Sequence, residues 1–105
     1  MKRIKALNVN HPGHQENLNE EKYTLVRDAI LQALPVDNGE SMPFSELEEK
    51  VRQSLNEQNV PKALFPKPGS VRWYTKTVQL DLEARGKIER VPGQSPLRFR
   101  LTSAN

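Results

Sequence analysis

The sequence contains no cysteine, so disulfide frameworks and Cys-ligated zinc or iron–sulfur centres are excluded. Aromatic residues are scarce, with a single tryptophan, and no apolar run approaches the roughly 20 residues that a membrane helix requires. The basic start, Met1-Lys2-Arg3-Ile4-Lys5-Ala6-Leu7, is not followed by an apolar stretch and so does not read as a secretory signal. A cytoplasmic address and no membrane partner are the expectation. What is present is a chain of 105 residues, the length of one small domain, with a mean hydropathy of −0.75. Its apolar residues nevertheless cluster too well for a disordered chain of that polarity.

Positive charge is concentrated in one half. Residues 1–59 carry seven Lys and Arg against ten acids, whereas residues 60–105 carry nine against only Asp81, Glu83 and Glu89. A basic half joined to an acidic half is the asymmetry expected when one face meets a polyanion, although a solvated surface has a similar composition.

Residues 1–18 show no sustained period and include the turn-like His11-Pro12-Gly13-His14. They read as a flexible N-terminal arm ahead of a domain over residues 19–102. Asn19 is placed to cap a helix with Glu20 and Glu21 in its first turn. Its apolar stripe is Tyr23, Val26, Ala29, Ile30, Ala33 and Leu34, and Pro35 stops it. A polar loop over 35–41 holds Asp37-Asn38-Gly39. Met42-Pro43-Phe44 reads as extended. Ser45 and Glu48 form a capping box for a helix from about 46 to 57, with Leu47, Val51 and Leu55 on one side. Prolines 61, 66 and 68 bracket Ala63-Leu64-Phe65, which has room for one tight helical turn. Ser70 then caps a third helix, and Gly86 ends it. Beyond Gly86 the period becomes two. Ile88 leads one strand, Leu97, Phe99 and Leu101 alternate with Arg98 and Arg100 in another, and Pro92-Gly93-Gln94-Ser95 turns between them.

Helix, short strand, helix, helix, hairpin is the order of a winged helix-turn-helix. The expected class is therefore α+β, a three-helix core with a short strand before the second helix and a C-terminal β-hairpin wing. A three-helix bundle with an appended hairpin is the competing architecture.

On a helical wheel, Val71, Tyr74, Val78 and Leu82 form the stripe that faces the first two helices. Trp73, Thr77, Leu80 and Ala84 form a second apolar stripe, and Arg72, Lys76, Gln79 and Glu83 fill the outer face. That outer face has DNA-reading chemistry: Arg72 for guanine or phosphate, Lys76 for phosphate, Gln79 for adenine. Ser70 and the free amides of the first turn suit a phosphate oxygen. In the wing, Arg98 and Arg100 share a face, with Arg90 on the partner strand and Lys87 at its base, an arrangement suited to the DNA backbone or minor groove. Charged residues on an edge strand also serve to prevent aggregation. Lys2, Arg3 and Lys5 could add non-specific phosphate contacts.

The run Val78-Gln79-Leu80-Asp81-Leu82-Glu83-Ala84-Arg85-Gly86-Lys87-Ile88-Glu89-Arg90 resembles the end of a winged-helix recognition helix entering its wing. Leu97-Arg98-Phe99-Arg100-Leu101-Thr102 is similar to the second wing strand of bacterial regulators in that superfamily. Trp73-x-x-Lys76-Thr77-Val78-Gln79-Leu80-Asp81-Leu82-Glu83, together with Ala63-Leu64-Phe65-Pro66, resembles an uncharacterised family of small bacterial winged-helix proteins. The likeness covers residues 20–102 and implies the fold more than the function. One departure is length: twelve residues separate Glu57 from Ser70, against a usual helix-turn-helix turn of about 3–4.

No catalytic constellation assembles, because the chain has only two histidines, no cysteine and no Gly-rich phosphate loop. His11-x-x-His14 with Glu16 has metal-like composition, but Pro12 and Gly13 oppose a helix that would present both histidines. Neither an enzyme nor a bound cofactor or metal is expected. The primary expectation is a DNA-binding regulator or accessory factor that uses Ser70, Arg72, Lys76, Gln79, Lys87, Arg90, Arg98 and Arg100 on double-stranded DNA. The alternative is a protein-interaction module or homodimer built on Trp73 and Leu80, which requires an exposed Trp73.

Overall fold

The computed structural model describes residues 2–36, 40–93 and 95–102. Asp37-Asn38-Gly39 in the first expected loop and Gln94 in the wing turn lie outside them. The chain opens with two short strands, β1 (Arg3–Ala6) and β2 (Glu16–Asn19), paired antiparallel with Ile4 opposite Leu18 and Ala6 opposite Glu16. This corrects the expectation of an irregular arm. Ile4, Ala6 and Leu18 share one face of the pair, and Ala6 and Leu18 are buried in the core. Burial of that apolar face, not an extended hydrophobic pattern, holds these two four-residue strands.

Asn19 ends β2 and caps α1 (Glu20–Ala33) by accepting a hydrogen bond from the Lys22 amide at 3.1 Å. The Glu20 amide donates back to the Lys2 carbonyl at 3.0 Å, so strand and helix are joined without a loop. Next come the two-residue strand β3 (Met42–Pro43) and α2 (Phe44–Glu57). Ser45 does not cap α2. Pro43 occupies the N-cap position, and because it is paired to the sheet it fixes the helix start two residues earlier than expected. A single 3-10 turn at Lys62–Leu64 fills part of the long connection.

The third helix, α3 (Ser70–Ala84), starts after Gly69, which takes the N-cap position at φ +84°. Ser70 is therefore the first helical residue and not the cap; its Oγ is buried, with no hydrogen-bond partner among the described residues. At the other end the Lys87 amide bonds to the Leu82 carbonyl and the Gly86 amide to the Glu83 carbonyl. With Gly86 at φ +74°, this is a Schellman stop. Strands β4 (Ile88–Arg90) and β5 (Arg98–Leu101) form the hairpin, and β3 adds to the far side of β5, giving the order β3-β5-β4. Met42 and Arg90 both lie opposite Phe99.

The core is built from Val26 and Ile30 of α1, Leu47 and Val51 of α2, Val78 and Leu82 of α3, and Ile88 and Phe99 of the sheet. The four-residue spacing of Leu47, Val51 and Leu55 puts one face of α2 inside, as expected. In α3 the buried residues include Thr75, Gln79 and Asp81 alongside Val78 and Leu82. The outer face drawn from the wheel is thus half wrong. Gln79 is fully buried, while Trp73 of the second apolar stripe is 48 % exposed. The N-terminal strands and the wing both reach this side of the helix and supply partners for its polar groups.

Two polar networks make that burial tolerable. The Asp81 carboxylate accepts from the Leu7 amide at 2.8 Å, from Arg85 Nε at 2.9 Å and from the Tyr23 hydroxyl. Arg85 also donates to the Lys5 carbonyl at 3.2 Å. Two residues on, Glu83 accepts from the Gln79 amide and from the Arg90 guanidinium, which in turn reaches Asn10 Oδ1 at 3.1 Å. Burial, then the hydrogen bond to Asp81, pushes the Tyr23 phenol up to about 12. The hydrogen bond to Asp81 likewise raises Arg85 above the usual guanidinium value.

Candidate nucleic-acid interface

Arg72, Trp73 and Lys76 form an exposed edge along the first two turns of α3. The Arg72 side chain is 71 % exposed. Beneath this edge lies Phe44, the first residue of α2. Its ring sits 6.0 Å from the Arg72 guanidinium carbon and 5.4 Å from Lys76 Nζ. A four-residue spacing places both cations over one ring, and each such contact is worth roughly 0.5–1 kcal/mol at an exposed site. The ring orients the two stems while leaving their charged ends in water.

The aromatic chain continues inward. Trp73 meets Tyr74 nearly at right angles, with centroids 5.2 Å apart, and Tyr74 meets Phe65 in the same way at 5.3 Å. Lys22 of α1 places its Nζ 5.8 Å from Phe65 and 5.7 Å from Tyr74. Burial raises the Tyr74 phenol above its ordinary value, with Arg3 acting against it. Aromatic faces and cations therefore alternate from the core to the surface. Two carboxylates border the edge. Glu48 bonds Arg52 at 2.8 Å and lies 3.9 Å from Arg72, and Glu16 bonds His14 at 3.0 Å.

Beside Trp73, a cleft of about 240 Å³ separates α3 from the N-terminal hairpin. Trp73, Lys76, Thr77 and Leu80 line one wall, and Leu7, Asn8, His14 and Glu16 line the other.

The structure divides the expected site residues. Arg72 and Lys76 stand together on the surface as expected. Gln79 does not: its amide donates to Glu83 and its Oε1 is buried, so the expected adenine reading is corrected. Ser70 is likewise turned inward, and its hydroxyl is not presented to a phosphate. In the wing, Arg98 and Arg100 share a face but are engaged within the protein. Arg98 bonds Ser41 Oγ at 2.7 Å and the Ser41 carbonyl at 2.8 Å, and Arg100 bonds Glu89 at 2.6 Å. Arg90 is held by Glu83 and Asn10. Lys87 remains exposed at the base of the wing. Sequence reasoning passed over Phe44 as a site residue. The signal was available in the four-residue spacing of Arg72 and Lys76, which marks a shared neighbour.

Among the described residues no group of three or more His, Asp or Glu is placed to hold a metal ion, and no helix is long and apolar enough to cross a membrane. By architecture the described residues form a small α+β domain of three α-helices and two antiparallel sheets, carrying a basic and aromatic edge on the third helix. The chain belongs to a family of unknown function, DUF6958, whose match spans residues 3–99 and takes in both strands of the N-terminal hairpin. No curated protein and no solved structure matches it.

Proposed function

We propose that the protein is a winged-helix DNA-binding protein, a transcriptional regulator or accessory factor of the bacterial cytoplasm. The observation that carries this reading is the exposed pair Arg72 and Lys76, set one turn apart on α3 over Phe44. The topology supports it. A strand between α1 and α2 pairs with the second strand of a hairpin that follows α3, in the order β3-β5-β4. In a winged helix that third helix is the one presented to DNA, with the hairpin beside it.

The internal engagement of Arg90, Arg98 and Arg100 changes the expected mode. These arginines brace the wing, and DNA approaches the first two turns of α3 rather than its middle. With Arg72, Lys76 and the nearby exposed Lys67 in play, about two or three phosphates are neutralised. Log K for a mixed-sequence duplex then falls with log salt at a slope of roughly −2 to −3. Arg72→Ala and Lys76→Ala each flatten that slope by about 0.9, and each costs only the roughly 0.5–1 kcal/mol of its contact with Phe44 in stability. Fluorescence anisotropy of a labelled duplex across a salt series measures both. Absence of any DNA binding at low salt, to duplex or to single strand, overturns the reading.

A second reading is favoured by the exposure of Trp73, with Leu80 beside it in the cleft. Here a protein partner or a second copy of the chain docks on that pair as a hot spot. Leu80→Ala separates the two readings, since it weakens a protein contact and leaves the duplex salt slope unchanged.

A further inference from the structure

We infer that the α3 edge takes an unpaired base, stacked on Trp73, so that the preferred nucleic acid is single-stranded DNA or RNA rather than intact duplex. The inference rests on the DNA-binding reading above and narrows its ligand. Three observations carry it. First, Trp73 is 48 % exposed, and its neighbour Tyr74 meets it edge-on at 81° rather than stacking on it. Second, cations flank it in sequence and space: Arg72 precedes it, Lys76 follows three residues on, and both are held over Phe44. Third, Gln79, the residue expected to read adenine from this helix, is buried and bonded to Glu83.

A groove-reading helix needs donors and acceptors aimed at base edges. This helix presents a π surface and two positive charges. In intact B-form duplex the base faces are already stacked on one another and unavailable to an indole. A single strand offers a base face and its adjoining phosphates together, which is the combination that an aromatic flanked by cations recognises. The cleft beside the indole supplies polar groups from Asn8 and Thr77 and an apolar wall from Leu80. The neighbouring Glu48 carboxylate does not oppose a phosphate with full charge, because it is bonded to Arg52.

Trp73 is the only tryptophan in the chain, so its fluorescence reports the site directly. The full-length protein is titrated at low salt with an oligothymidine of about twelve nucleotides and, separately, with a blunt duplex of similar length. The expected result is quenching of Trp73 by the oligothymidine and tighter binding of it than of the duplex. By anisotropy with a labelled oligothymidine, Trp73→Ala loses roughly 5- to 100-fold in affinity and Trp73→Phe keeps most of it. The salt slope of Trp73→Ala stays at the wild-type value, whereas that of Lys76→Ala falls. A thermal melt of each variant ensures that only folded protein is compared. Duplex bound as tightly as the single strand, or oligothymidine binding without quenching, overturns the inference and leaves the DNA-binding reading standing. Binding of neither overturns both.

Discussion

Replacing Asp81 with alanine tests the network that holds the N-terminal hairpin to the rest of the fold. Asp81 is fully buried and serves three donors from three elements: the Leu7 amide after β1, the Tyr23 hydroxyl of α1 and Arg85 after α3. In Asp81→Ala the Arg85 side chain, 40 % exposed, turns to water, so its loss is small. The Tyr23 hydroxyl has no such exit and the Leu7 amide is half-buried, and each buried donor left unmade costs about 1–3 kcal/mol. The expected destabilisation is about 3 kcal/mol. For a domain of this size that lowers Tm by roughly 12–24 °C in a circular dichroism melt at neutral pH. Adding Arg85→Ala to Asp81→Ala should cost little more, because the two residues share one interaction. Amide exchange at Leu7 should quicken even where the helices remain protected. A Tm within about 4 °C of wild type, with Leu7 still protected, would refute the argument.

The Tyr23 phenol links the same network to pH. Folded, it stays neutral up to about 12, whereas an unconstrained tyrosine ionises at 10.0. Unfolding above pH 10 therefore releases a proton, so the stability due to the raised value is complete below pH 10 and is lost as pH rises through 12. Denaturant melts of wild type and Tyr23→Phe across this window should show their stability gap narrowing with pH, and a constant gap would contradict the assignment. Arg98→Ala removes the two bonds to Ser41 and should cost about 1–2 kcal/mol in stability. Its duplex salt slope should match wild type; a slope flatter by about 0.9 would place Arg98 on a phosphate instead.

The elements that follow one period for several turns were legible from the residues alone. Leu47, Val51 and Leu55 fix the buried side of α2, Val78 and Leu82 that of α3, and the alternation around Phe99 gives β5. Asn19 also read correctly, because nothing before it competes for the cap. Ser45 and Ser70 misled because the residues ahead of them, Pro43 in the sheet and the left-handed Gly69, set the helix starts by backbone geometry. The N-terminal strands are four residues each and too short to show a period, so their pairing rests on contacts far along the chain. For the same reason the polar half of α3 was misplaced. Hydropathy assigns Gln79 and Asp81 to water, and only partners such as Leu7 and Glu83 make their burial tolerable. Of the site, the positions of Arg72 and Lys76 were legible. The engagement of Arg98 with Ser41 and of Arg90 with Asn10 was not, since neither pairing leaves a local mark.

The bonds that Asp81 and Arg90 make to the first hairpin also set an order of events in synthesis. Leu7 and Asp81 are 74 positions apart, and Arg90 and Asn10 are 80 apart, in a chain of 105. The hairpin thus waits for partners made 74 to 80 residues later. At ribosomal rates of about 5–20 residues per second, the hairpin spends roughly 4–15 s without the carboxylate that receives its amide. The three helices hold most of the buried apolar core and meet through shorter sequence separations, so they collapse first, with the hairpin docking as the final step.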